Sequence, residues 1–185
     1  MIQADVTLTD KEKEIIQEML YSGNFPWYRA PYQTRVTDVD LSIADKVANP
    51  TFLNHVLMER HDDPTIPGTV SSDAYAFFYK IFRRWCQENC IKINVVHRAN
   101  LNLITYNNKE FTVPHFDHPW QHFNWVMYLN TVEDAPTIVF NNDLTINKTF
   151  SAVENTAVCF EGNLHAHGFP RDPNEHRFVA VFTFS

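Results

Sequence analysis

Glycine is scarce in this chain, with four among 185 residues. No G-x-S-x-G segment occurs, which removes the nucleophile elbow of the serine hydrolases from consideration. Cysteine is scarcer. Cys86, Cys90 and Cys159 are an odd count without C-x-x-C spacing, so no paired redox thiol is indicated and a reducing cytoplasm is the expected setting. No charged-then-apolar leader opens the sequence, and no apolar run approaches the length that spans a bilayer. Positive charge is also in deficit: 15 Lys and Arg face 22 Asp and Glu, giving a net charge of −7 and a pI near 5.6. No global field therefore favours nucleic-acid phosphate. The one short basic cluster, Arg83-Arg84, sits in an aromatic helix-like run and reads as a solvated edge. Internal repeats, low-complexity tracts and convincing domain boundaries are lacking, and 185 residues suit one domain with a sizeable core.

What the chain does have is 44% hydrophobic residues, 15 phenylalanines and nine histidines. Phe-rich strands can fill the space between two sheets, and nine histidines exceed what solubility needs. Thr9-Asp10-Lys11-Glu12 reads as a capping box opening a helix whose apolar face is Ile15, Ile16, Met19 and Leu20, with Gly23 or Asn24 ending it. A Pro- and Tyr-containing loop follows from Phe25 to Tyr32. Pro50 to Arg60 reads as a short helix, and Ser72 to Asn89 as a stronger one, capped by Ser71 or Ser72 and striped by Phe77, Phe78, Ile81, Phe82 and Trp85. That stripe is expected to pack on a sheet. From Ile91 onward the pattern is strands: 101–105, 123–129, 137–140, 144–150, 156–160 and 178–184, separated by Asn, Asp, Gly and Pro turns. Helices first and strands afterwards predict an α+β domain over 1–185, with helical support in 1–90 and a jelly-roll (double-stranded β-helix) core in 91–185.

The chemistry concentrates in Pro114-His115-Phe116-Asp117-His118. His115 and Asp117 are two apart, so on an extended strand both side chains leave the same face. Two imidazoles and one carboxylate with open positions suit non-haem Fe(II). H-x-D alone is a weak signal, but Phe160-Glu161-Gly162-Asn163-Leu164-His165-Ala166-His167-Gly168 delivers further histidines after a strand and turn. Ten residues beyond His167, Arg177 opens the last apolar strand. An arginine's planar fork grips a carboxylate with two parallel hydrogen bonds, as a small dicarboxylate requires. His118, Trp120 and His122 follow the H-x-D as residues of the site mouth or of a surface loop.

With these segments the sequence resembles the Fe(II)- and 2-oxoglutarate-dependent dioxygenases, in particular small prolyl-4-hydroxylase-like members, including ones encoded by tailed phages. The resemblance runs from about Arg98 to Ser185. It passes through Ala99-Asn100-Leu101-Asn102-Leu103, the H-x-D, Val126-Met127-Tyr128-Leu129-Asn130, Thr137-Ile138-Val139-Phe140-Asn141 and the distal His and Arg. It implies that His115, Asp117 and a distal histidine hold Fe(II), with His167 favoured by its spacing to Arg177 and His165 as the alternative. It also implies that Arg177 binds the outer carboxylate of 2-oxoglutarate, supported by Tyr106 and Tyr128, with Asn102 a polar neighbour. Each tyrosine reads equally well as a core aromatic with its hydroxyl at the rim.

The implied reaction consumes 2-oxoglutarate and O₂, hydroxylates a substrate and releases succinate and CO₂. The expected location is the cytoplasm, that of the host if the chain is phage-encoded. A peptidyl proline is the substrate suggested by the resemblance; no membrane partner is expected, the acidic balance argues mildly against nucleic acid, and the aromatic Phe25-Pro26-Trp27-Tyr28 loop is the expected recognition element. Two alternatives stand beside this reading. A Zn(II) hydrolase on the same three ligands leaves Arg177 and Tyr106 without a role. A cupin-like or structural jelly roll would use its histidines for no chemistry.

Overall fold

The predicted capping box is present at the start of α1 (Asp10–Tyr21), where the Thr9 hydroxyl accepts the Glu12 amide at 3.2 Å and the Glu12 carboxylate accepts the Thr9 amide at 2.9 Å. Gly23 follows the helix at φ +69°, a conformation that glycine adopts without strain. The structure is a computed structural model and describes residues 1–31 and 43–185. Tyr32, the last residue of the expected Pro/Tyr loop, lies outside the described residues. A second helix, α2 (Tyr75–Glu88), starts later than predicted, at an Ala74 cap without a side-chain hydrogen bond. Ser72 is turned elsewhere: its hydroxyl accepts the Ala74 amide and lies 2.7 Å from His55 Nε2.

Among the described residues no helix is long and apolar enough to cross a membrane. The body is strands. A large antiparallel sheet runs in the order β1 (Ile2–Asp5), β11 (Thr156–Glu161), β8 (Phe123–Tyr128), β13 (His176–Phe184), β6 (Val96–Thr105), β4 (Phe52–Glu59) and β2 (Tyr28–Ala30), with β5 (Thr69–Val70) also on β4. A small sheet, β10 (Ile146–Ala152), β9 (Val132–Phe140) and β12 (His165–His167), forms the second layer. A parallel pair, β3 (Val47–Ala48) and β7 (Phe111–Thr112), leads into the H-x-D. This two-layer arrangement is the expected jelly roll.

Two expectations are corrected here. The segment 50–60 is strand, not helix, because β4 pairs with β6 in register Leu53↔Leu103 and His55↔Leu101, and this sheet partner overrides a weak local preference. The supporting helices do lie within residues 1–90, but that stretch is not helical alone. Five strands precede that point, and β1 completes the large sheet against β11.

Alternation along the large sheet sorts its side chains. On β13, Phe178, Ala180, Phe182 and Phe184 face the helices, where Phe78, Ile81, Phe82 and Trp85 of α2 and Ile16 and Leu20 of α1 complete a core. Phe82 stacks on Phe182 at 4.6 Å between ring centroids. The residues between them, Arg177, Val179 and Val181, face the interior of the roll. The same division holds on β6, with Ala99, Leu101 and Leu103 outward and Arg98, Asn100 and Asn102 inward.

Arg84 binds α2 to α1. It donates to both oxygens of the buried Glu12 at 3.1 and 2.9 Å, so half of the basic pair read as a solvated edge is an interhelical ion pair. This guanidinium holds the Glu12 carboxyl down at about 2 against an ordinary 4.5.

Candidate metal centre

Between the two sheets lies a cavity of about 460 Å³, a size that accommodates a small organic ligand. Its polar lining comes from the end of β4, the inward face of β6, the H-x-D segment after β7, and the strands β9, β12 and β13.

His115, Asp117 and His165 each direct one donor atom to a common point, with these atoms within 4.8 Å of one another. The backbone explains the convergence. His115 and His165 face each other across an isolated antiparallel bridge, exchanging main-chain hydrogen bonds of 2.9 and 3.1 Å. Each imidazole then places its Nδ1 near a main-chain carbonyl two residues earlier, His115 at 3.0 Å from Val113 O and His165 at 2.9 Å from Asn163 O. A carbonyl can only accept, so Nδ1 is the donor on both rings, which leaves Nε2 as the atom turned to the common point. Burial keeps His115 neutral, with its pKa drawn down to about 4.

Asp117 divides its two oxygens. Oδ1 accepts from Arg98 at 2.6 Å and Oδ2 lies 3.4 Å from His165 Nε2. Burial would push this carboxyl up, yet Arg98, His165 and His115 more than reverse that and hold it well below the carboxylate range. An ionised aspartate and two imidazoles whose Nε2 atoms face it make a donor set that fits a divalent transition metal such as Fe(II).

The sequence placed His167 first and His165 second as the distal donor. The structure brings His165 to His115 and Asp117; His167 does not join them. Both project from one face of β12, and the difference is register. His165 opposes Val139 and His115, whereas His167 is one pleat farther along, opposite Thr137. His167 still lines the cavity, buried, with Nε2 lacking a hydrogen-bond partner.

Beyond His167 stands Arg177, 2% exposed. Its guanidinium donates to the Thr137 hydroxyl at 2.9 Å and lies 5.4 Å from the Tyr128 ring centre, while Nε has no hydrogen-bond partner. The Tyr128 hydroxyl donates to the same Thr137 oxygen at 2.8 Å. Among the described residues no carboxylate forms an ion pair with Arg177. Asn102, and beside it Asn100, line the cavity with their side-chain oxygens unpartnered.

Tyr106 corrects a further expectation: it is 43% exposed and lies off the cavity. Continued alternation along β6 would have turned it inward, but the strand ends at Thr105 and the chain leaves the sheet. His118 and His122 are not mouth residues either. They are buried and cluster with His97 and Trp120, and His118 Nε2 lies 2.7 Å from the Thr183 hydroxyl. Burial, with Arg98 nearby, holds His118 down at about 3.

Sequence reasoning missed Arg98, Thr137 and Arg60, whose guanidinium donates to the Asp117 carbonyl at 3.2 Å. For Arg98 a signal existed. Arg98, Asn100 and Asn102 put a polar residue at every second position of a strand otherwise built of Ala and Leu, which marks a polar interior face.

No family model matches the chain, and no curated protein matches it in sequence. Solved structures match over its whole length. A 2OG-Fe(II) oxygenase family oxidoreductase from Burkholderia pseudomallei aligns with a TM-score of 0.69 at 15% identity, covering 100% of this chain and 84% of that one. A prolyl-4-hydroxylase from Pseudomonas putida aligns at 0.55 and 14% identity, over 99% and 90% of the two chains. A Trichoplax adhaerens prolyl hydroxylase in complex with a hypoxia inducible factor peptide fragment aligns at 0.60 and 9% identity, over 99% and 82%. The chain therefore has the fold that these 2OG-Fe(II) oxygenases and prolyl hydroxylases share.

Proposed function

We propose that this chain is an Fe(II)- and 2-oxoglutarate-dependent dioxygenase that hydroxylates a substrate with O₂, releasing succinate and CO₂. One observation carries the reading: a two-histidine, one-aspartate donor set shares a cavity with a fully buried arginine that has no carboxylate partner among the described residues. His115, Asp117 and His165 would hold the metal. When bound, Fe(II) with 2-oxoglutarate and O₂ supplies the oxidising power for an unreactive C–H bond. Arg177 would take the outer carboxylate, with Thr137 and Tyr128 fixing the guanidinium from behind. Neutral His167 and the amides of Asn100 and Asn102 lie along the route between Arg177 and the metal donors and would orient the cosubstrate. Val126, Val179 and Val181 line the same space and exclude water from it. A Zn(II) hydrolase on the same donors would leave Arg177 buried without a function. The prolyl hydroxylases among the structural neighbours support a peptidyl substrate, with proline the residue to test first.

The test is anaerobic titration of the apo-protein with Fe(II) and 2-oxoglutarate, following the visible metal-to-ligand charge-transfer band. We expect a band that is lost in His165→Ala. In His167→Ala it should persist but need more 2-oxoglutarate to saturate. A band that survives His165→Ala and vanishes with metal affinity in His167→Ala would reverse the ligand assignment. Tight Zn(II) binding without any band would favour the hydrolase.

A further inference from the structure

The cavity that opens over the metal donors has a charge opposite to that of the chain. Among the described residues its charged lining is Arg60, Arg98 and Arg177 against Glu59 and Asp117, three positive groups and two negative, in a protein whose net charge is −7. On the dioxygenase reading, on which this inference rests, a dication and a dicarboxylate enter together and leave that balance unchanged. Arg177 is matched by the cosubstrate at the buried end. With the metal's two charges set against Asp117 and the other cosubstrate carboxylate, one unit of positive charge is left at the other end, where Arg60 and Arg98 face Glu59 alone.

Both of these arginines touch Asp117. Arg98 engages its carboxylate, and Arg60 donates to its main-chain carbonyl. Among the described residues that carbonyl is the hydrogen-bond partner of the Arg60 guanidinium and no carboxylate pairs with it, so it keeps donors for a ligand. Their position is thus fixed within one residue of the metal donors. The wall beside them is apolar and includes Val56, opposite Asn100, and Phe116. Phe116 stands between His115 and Asp117 and is 54% exposed, an uncovered aromatic ring at the entrance.

We propose that the primary substrate carries an anionic group, a carboxylate or a phosphate, on an apolar body. The anion docks on Arg60 and Arg98 while the apolar part lies against Phe116 and Val56 over the metal donors. Planar guanidinium forks suit either oxyanion, and both arginines are placed to hold a substrate in one orientation.

The full chain loaded with Co(II) and saturating 2-oxoglutarate would be titrated with phenyl phosphate, phenylacetate and the neutral benzyl alcohol. Cobalt visible absorption and equilibrium dialysis are the readouts. At least one anionic probe should bind with 2-oxoglutarate retained, at least about tenfold more tightly than benzyl alcohol. The preferred anion then distinguishes a phosphate from a carboxylate. Arg60→Met should weaken that probe by about tenfold while Co(II) and 2-oxoglutarate uptake stay unchanged. Arg98→Lys, which keeps the charge beside Asp117, should weaken it less. Equal binding of the neutral probe, an Arg60→Met variant without effect, or displacement of the anion by added 2-oxoglutarate would overturn the proposal. In those three cases the cobalt and 2-oxoglutarate complex has formed and the dioxygenase reading survives. If the complex does not form at all, that reading fails and this one with it.

Discussion

Replacing Arg177 by methionine should stabilise the empty protein while removing its affinity for 2-oxoglutarate. The guanidinium is buried, its Nε has no partner, and what it receives is one neutral hydroxyl and a ring face. Burying a cation without a counter-ion costs several kcal/mol, and an apolar side chain of similar volume avoids that cost. Removing it orphans little, since Thr137 keeps its hydrogen bond from Tyr128. Arg177→Met should therefore raise the stability of the metal-free, cosubstrate-free protein by about 1–3 kcal/mol. In a domain of this size each kcal/mol is read as about 2–4 °C in Tm. The same change removes a two-pronged, charge-assisted grip on a carboxylate, a loss of about 3–4 kcal/mol or about 10²–10³-fold in 2-oxoglutarate affinity. Thermal melts with and without metal and cosubstrate measure both. Wild type should gain Tm on adding 2-oxoglutarate and the variant should not. An Arg177→Met protein that melts lower when empty, or that binds 2-oxoglutarate within about threefold of wild type, would refute the argument that this cation awaits a carboxylate.

Two further outcomes follow from the packing. Glu12 has its pKa lowered to about 2 in the folded chain, against 4.5 ordinarily. The unfolded chain thus binds more protons between those values, and the stability from this pair is full above pH 4.5 and lost as pH falls toward 2. Arg84→Met should cost about 2–3 kcal/mol at neutral pH and flatten that acid limb in urea midpoints measured against pH; an unchanged limb would discount the pair. A Cβ at Gly162 would collide with three atoms of the His122 ring. Gly162→Ala should cost about 1–3 kcal/mol, with much of it recovered in the His122→Ala double variant. Full stability of the single variant would show that the ring yields freely.

What could be read from the sequence was what local chemistry decides. The Thr9/Glu12 box, the apolar stripe of α2 and the period-two strands after residue 95 each depend on neighbours in the chain. The H-x-D was legible because two donors two residues apart share a strand face in any sheet. The distal histidine was not, since His165 and His167 obey the same alternation and the pairing of β12 with a segment some 50 residues earlier decides between them. Tyr106 failed at a strand end, and β4 was misread as a helix because its identity comes from β6 beside it. Arg98 went unread as a partner of Asp117 because their pairing joins residues brought together only by folding.

The alternation of β6 and β13 has an evolutionary consequence. Ala99, Leu101, Leu103 and the phenylalanines of β13 answer to the helices, while Arg98, Asn100, Asn102, Val179 and Val181 answer to the cavity. Substitutions at the second set can change what the cavity accepts without disturbing the layer that keeps the chain folded. The two sets can drift at separate rates under separate selection. A chain built this way can explore new ligands by point mutation while its scaffold persists, which accords with a shared fold at 9–15% identity.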